Sequence, residues 1–135
     1  MIEVNVDISA ALSKLDKSED ALAVADDELF NSVKNITEPL AKSLCPVDTG
    51  FLRDSINTEK EGFGVVAIGT PVYYGAFQEF GFYISKEFAM HAAWGRGMPE
   101  LEGQFMRRPF LIPAVEGTLF DIISNIQAKV NASLK

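Results

Sequence analysis

Histidine, cysteine and tryptophan each occur once in this 135-residue chain. A lone cysteine excludes an intramolecular disulfide, and with a lone histidine there is no cysteine–histidine zinc cluster. His91 by itself cannot build a His-Glu-x-x-His metal motif. The Gly-x-Ser-x-Gly nucleophile elbow and the Gly-x-x-x-x-Gly-Lys-Ser/Thr phosphate loop are both missing. Apolar runs stop well short of the ~20 residues that span a bilayer. The N-terminus has no basic segment leading into an apolar stretch, so neither a membrane span nor a secretory signal is expected. Positive charge is also scarce: 12 Lys and Arg face 19 Asp and Glu, for a net charge of −7. Nucleic-acid binding depends on neutralising phosphates and would show a steep salt dependence. The acidic balance argues against it, and solubility alone is the plainer reading of the charge.

What is present is a globular composition, 47% apolar and 23% charged. The length suits one domain over residues 1–135 with a real core. The chain turns at Cys45-Pro46-Val47-Asp48-Thr49-Gly50. Pro46 cannot continue a helix and pushes Cys45 toward extended geometry. Asp48 and Thr49 can bond the local backbone, and Gly50 tolerates positive φ. Before this turn, Leu22, Ala25, Leu29, Val33, Ile36, Leu40 and Leu44 recur at steps of three and four. They predict an amphipathic helix over 19–44 with Ser18 as its cap. Pro39 either kinks that helix or opens a second one capped by Thr37.

Ile2, Val4, Val6 and Ile8 alternate with polar residues and predict a strand, or an end that orders only against a neighbour. Residues 10–17 read as a connector. After the turn, 51–55 fit one helical turn. Residues 56–59 and 65–70 predict a hairpin reversing at Glu61-Gly62-Phe63-Gly64. A short helix is expected over 73–80, ending at Gly81. Residues 82–84 and 88–90 read as extended. The breaker-rich stretch from His91 to Met106 carries Trp94, Met98, Leu101, Phe105 and Met106. These either fold back on the core or insert into a partner, so 82–106 is taken as an extended loop or insertion. A last helix is predicted over 111–133, with a stripe of Ile112, Val115, Leu119, Ile122, Ile123, Ile126 and Val130 and with Pro113 near its start. The predicted fold class is α+β: a small, mainly antiparallel sheet packed with a long N-terminal helix and a C-terminal helix.

Catalytic chemistry finds little support. Cys45 ends an apolar stripe, where an inert buried thiol belongs. Asp48, Asp54, Glu59 and Glu61 near the turn read as solvated or capping acids rather than metal ligands. Arg53 is placed to pair with Asp48 or Glu79, within or between subunits. Six rings, Tyr73, Tyr74, Phe77, Phe80, Phe82 and Tyr83, crowd into eleven residues. They cannot easily all face one small core, and aromatics and arginine favour interface cores. The candidate interface set is Arg53, Tyr74, Phe77, Glu79, Phe82, Trp94, Met98, Phe105, Arg107 and Arg108. No catalytic residue, cofactor or metal is assigned. An alternative is a small ligand-binding or enzymatic domain using the aromatic region 73–83 as a pocket, with saturable binding and a ligand-dependent rise in melting temperature.

Three blocks in order, Pro46-Val47-Asp48-Thr49-Gly50 through Ile56, Tyr73-Tyr74-Gly75-Ala76-Phe77-Gln78-Glu79-Phe80-Gly81 and Pro109-Phe110-Leu111-Ile112-Pro113-Ala114, resemble the HK97 gp10-like family. Its members are tail-component or neck proteins of long-tailed bacteriophages. The resemblance implies an α+β subunit of the virion, made in the bacterial cytoplasm, without enzymatic activity. It also implies a homo-oligomeric ring, hexameric by preference, at the head–tail junction or upper tail. Its partners would be tail-tube, tail-terminator or head-connector proteins. DNA would pass through without specific binding, helped by an acidic lumen. Cys45 stands where the family often has a small residue, Ile2–Ile8 is only loosely family-like, and Phe82–Phe105 is longer and more aromatic than the family's usual link.

Overall fold

A computed structural model describes residues 2–10, 19–46, 50–84 and 102–133. Ser18, Asp48, Trp94, Met98, the connector 11–17 and the strand expected at 88–90 lie outside the described residues. The elements are β1 (Ile2–Asp7), α1 (Glu19–Ser32), a π-helical turn (Val33–Thr37), α2 (Glu38–Leu44), α3 (Phe51–Ser55), β2 (Asn57–Gly62), β3 (Val65–Thr70), α4 (Tyr74–Phe80), β4 (Phe82–Tyr83), β5 (Phe105–Met106) and α5 (Leu111–Ser133). The fold is α+β, as the sequence predicts.

β2 and β3 form the expected hairpin, but Glu61 and Gly62 stay in β2 and the reversal is Phe63-Gly64. The register slips between Lys60 and Gly62, a bulge that absorbs the extra residue. β1 adds antiparallel to the far side of β3, giving the order β1-β3-β2. Val66 and Ile68 of β3 point inward with Ile2 and Val6, and join Leu29, Val33, Phe110, Leu111 and Ala114 in one core. The most extensive helix contact is α1 against α5. Each fully buried side chain such as Phe110 or Leu29 contributes about 1.5–3 kcal/mol by leaving water.

The helical backbone runs unbroken from Glu19 to Leu44. Thr37 is helical and makes no cap; its hydroxyl instead meets that of Thr118 on α5 at 2.7 Å. Pro39 is accommodated by the π turn. A proline ring collides with the carbonyl four residues back and donates nothing. The wider turn relieves both problems, and the Glu38 N–H reaches the Val33 carbonyl, five residues back.

This turn also changes the buried face. The central interior row is Ala21, Ala25, Leu29, Val33, Thr37, Ala41 and Cys45, every fourth residue, flanked by buried Asp26, Ser32 and Glu38. In a plain α-helix each step of four drifts by about 40°; the π turn takes back part of that drift. Leu44, expected on the stripe, is therefore exposed, and Ile36 is only half-buried. On α5 the buried residues are Leu111, Ala114, Val115, Thr118 and Ile122, while Leu119 and Ile123 of the expected stripe face outward. Thr118 takes an interior place because its hydroxyl also bonds the Ala114 carbonyl at 2.8 Å.

Candidate functional site

The region around α4 begins with a close approach. A Cβ on Gly75 would meet Thr70, Leu52 and Ile2 side chains, the nearest at 2.7 Å. Only glycine lets α4 lie this tightly over α3 and the end of the sheet. With Gly75 inward, Tyr73, Phe77 and Phe80 face out together. Tyr74 packs against the core and takes the edge of Tyr73, ring centroids 5.3 Å apart. The structure thus assigns Tyr74 to the subunit's own packing.

Glu79 was expected at an interface or paired with Arg53. The structure instead buries it completely. Its carboxylate accepts the backbone N–H groups of Phe110 and Leu111 at 2.8 and 2.9 Å, and of Ile112 at 2.9 Å. These are the orphan donors at the start of α5. The next residue, Pro113, has no N–H to satisfy, so the first turn is complete. An anion at a helix N-terminus also suits the helix dipole. Alongside, Arg107 Nε donates to the Glu79 carbonyl at 2.9 Å, and the Arg108 N–H to the Gln78 carbonyl at 2.9 Å. Glu79 therefore ties the Tyr73–Gly81 block to the Pro109–Ala114 block.

Phe105 and Met106 are not loop but strand. They pair with Tyr83 and Phe82 in the β4–β5 ribbon. Gly81, with φ 94°, has its α-carbon against the Phe105 ring; a Cβ there would strike the ring. Tyr83 and Phe105 meet with tilted rings, centroids 5.2 Å apart, and are 75% and 54% exposed. Phe77, 50% exposed, touches half-buried Phe82 edge-on at 6.3 Å. Arg107 and Arg108 are exposed at the end of the ribbon. Of the candidate set, Phe77 thus meets Phe82, and Phe105 meets Tyr83 at the neighbouring ribbon position, with Arg107 and Arg108 following in the chain. Tyr73 and Phe80, at the ends of α4, are exposed as well.

Arg53 stands apart on α3, its Nε 3.0 Å from Asp54 Oδ1. Gly50, φ 86°, begins that helix as the motif predicts. Burial pushes the Cys45 thiol up to about 11, against the opposing charge of Arg53, so at neutral pH it is not a nucleophilic thiolate. Two surface grooves, one lined by Asp27, Phe30, Asn31 and Lys60 and the other at Glu3, Asn57 and Gly69, involve none of the rings at 73–83. No helix among the described residues is long and apolar enough to cross a membrane.

A second exposed apolar strip missed by sequence reasoning runs along α5: Leu119, Phe120 and Ile123. Phe120 lies outside the predicted stripe, and its spacing from Ile123 and from Glu116 marks an outward face.

The family described as "Bacteriophage HK97-gp10, putative tail-component" matches residues 7–81, more than half of the chain. That span runs from the end of β1 to Gly81 and excludes β5 and α5. No curated protein and no solved structure matches.

Proposed function

The chain belongs to the HK97 gp10-like family of phage tail components, and from that premise we propose that it is a structural, non-enzymatic virion protein. It assembles as a ring, hexameric by preference, at the head–tail junction or upper tail and surrounds the DNA channel. It docks there with tail-tube, tail-terminator or head-connector proteins. The observation that carries this reading is the exposure of Phe77, Tyr83, Phe105, Arg107 and Arg108 on and around the β4–β5 ribbon. These large side chains are exposed on a scaffold pinned from two sides, by Gly75 against the sheet and by Glu79 against α5. Rings that serve only a monomer's core would be covered; rings held rigidly in water suit association, because little conformational freedom is lost on docking. The net charge of −7 supports an acidic lumen that repels DNA phosphates and lets DNA slide.

The test is light scattering after size exclusion over a concentration series, with and without the phage's tail-tube protein, followed by electron microscopy of the products. A ring-sized mass in either condition is expected. A monomer that ignores every tail and connector partner would sink the ring.

A further inference from the structure

The outer face of the sheet has the opposite character to the aromatic surface. The register places Glu3, Gly69 and Asn57 in one cross-strand row and Asn5, Ala67 and Glu59 in the next. The central strand is therefore floored by Ala67 and Gly69, with taller side chains of β1 and β2 on either side. Glu3 approaches so closely that a Cβ on Gly69 would strike its backbone and the Ile2 carbonyl. The result is a groove of ≈ 230 Å³ lined by Glu3, Asn57, Glu59, Ala67 and Gly69 among others. That is smaller than a drug-sized pocket and suits one or two side chains. Glu3 and Glu59 are exposed and, among the described residues, have no cationic partner.

Arg107 and Arg108 present the complementary need. Among the described residues neither has a carboxylate partner, although Lys34, Lys42, Arg53 and Lys60 each do. Close before them in the chain, Phe105 pairs with Tyr83 across the ribbon, and the two exposed rings meet to form an aromatic ridge.

We propose that the ridge of Tyr83, Phe105, Arg107 and Arg108 on one subunit docks in the Glu3–Glu59 sheet trough of the next copy of this chain. The inference rests on the ring reading above and names its subunit contact. Charge decides the occupant. A two-fold contact of ridge on ridge would set two arginine pairs face to face, and trough on trough would oppose four carboxylates; like charges so placed repel and suppress the pairing. Ridge in trough pairs opposite signs and uses two different patches, so each subunit keeps one of each free. A contact of that kind repeats head to tail and closes into a ring when the rotation allows.

The test uses two double variants, Arg107→Glu with Arg108→Glu and Glu3→Lys with Glu59→Lys. All four side chains are exposed, and circular dichroism with thermal unfolding checks that each variant folds. Under the conditions in which the wild type forms its ring, each variant alone is expected to lose the ring and run as a monomer. Their equimolar mixture pairs the intact ridge of one with the intact trough of the other, and the reversed ridge with the reversed trough, and is expected to regain growth beyond two chains with the two variants alternating. Reversing both faces in one chain should restore growth beyond two. Folded variants that assemble as the wild type does overturn this contact while leaving the ring reading in place. Loss of tail-protein binding by the arginine variant with self-assembly unchanged assigns the ridge to a different partner and overturns it as well. A wild type that remains monomeric with every tail partner defeats the ring reading itself.

Discussion

A carboxylate that accepts three backbone N–H groups in the interior has no substitute among the other side chains at its position. Glu79→Ala leaves the Phe110, Leu111 and Ile112 donors buried without an acceptor. We expect about 3–5 kcal/mol of lost stability in urea unfolding, since hydrogen bonds to a charged group are worth about 1.5–3 kcal/mol each and do not simply add. Glu79→Gln keeps one acceptor oxygen and should lose less; an alanine variant as stable as the wild type would remove the capping role. Glu38 gives a second residue-scale test. Burial, the largest influence, pushes its carboxyl up, but hydrogen bonds from Thr58, Lys34 and Lys42 outweigh it, and the group sits below its ordinary 4.5. A carboxyl depressed in the folded state adds stability that is fully present above pH 4.5 and is lost as pH falls through the folded value. The unfolding midpoint of the wild type should therefore fall more steeply on acidification below pH 4.5 than that of Glu38→Gln. Parallel curves for the two proteins would rule out this linkage.

At the scale of elements, the π turn makes a sharp prediction. It stores one residue more than an α-helix needs. In a Pro39→Ala background, deleting the exposed Asn35 should convert it to a plain α-turn and leave Thr37, Ala41 and Cys45 facing inward. Deleting Asp27 from α1 in the same background rotates everything on one side of the cut by about 100° and should cost much more in melting temperature. Equal losses would mean the turn is not a register device. The same turn explains what the sequence could and could not say. β1 and the β2–β3 hairpin were legible because alternation and a glycine-rich reversal are local signals, whereas β5 read as loop. The α5 limits, Leu111 and Ser133, follow from its periodicity and breakers. The buried face of α1 and α2 was not legible, because a stripe counted at α-helical spacing assumes a constant pitch. Leu44 and Thr37 changed places for that reason. Glu79 was hidden differently: its partners lie more than thirty residues away and are backbone groups, which leave no side-chain pattern. A signal did exist. The residues before α5, Arg107-Arg108-Pro109-Phe110, include no Ser, Thr, Asp or Asn, so a 23-residue helix lacked a local cap and had to find an acceptor elsewhere.

For the whole molecule, two parts of the exposed apolar surface should respond differently to mutation. Phe120 is 80% exposed on α5 and has no assigned contact in the ring contact proposed above. Phe120→Ser should change folding stability by no more than about 0.5 kcal/mol and leave the assembled mass unchanged, while raising the concentration at which nonspecific association begins. Loss of the ring in this variant would bring the α5 strip into the subunit contact. The aromatic crowding at 73–83 was a fair guide to the candidate surface because six rings exceed what one short helix can bury. Phe105, Arg107 and Arg108 were candidates from the sequence as well, but the placing of Phe105 opposite Tyr83 comes from β-pairing between distant segments, which no local pattern reports.

The sheet order has a consequence for how the chain is made. β1 leaves the ribosome before β2 and β3, yet among the described residues its only strand partner is β3: Val4 waits for Ile68. At roughly 5–20 residues per second of synthesis, the nascent strand with Ile2, Val4 and Val6 is unpaired for roughly 3–13 s. β2 and β3 emerge together and can close at once. The native sheet is thus completed backwards, its earliest segment joining last, and during that interval β1 is open to capture by a chaperone or by the same strand of a neighbouring nascent chain on the polysome.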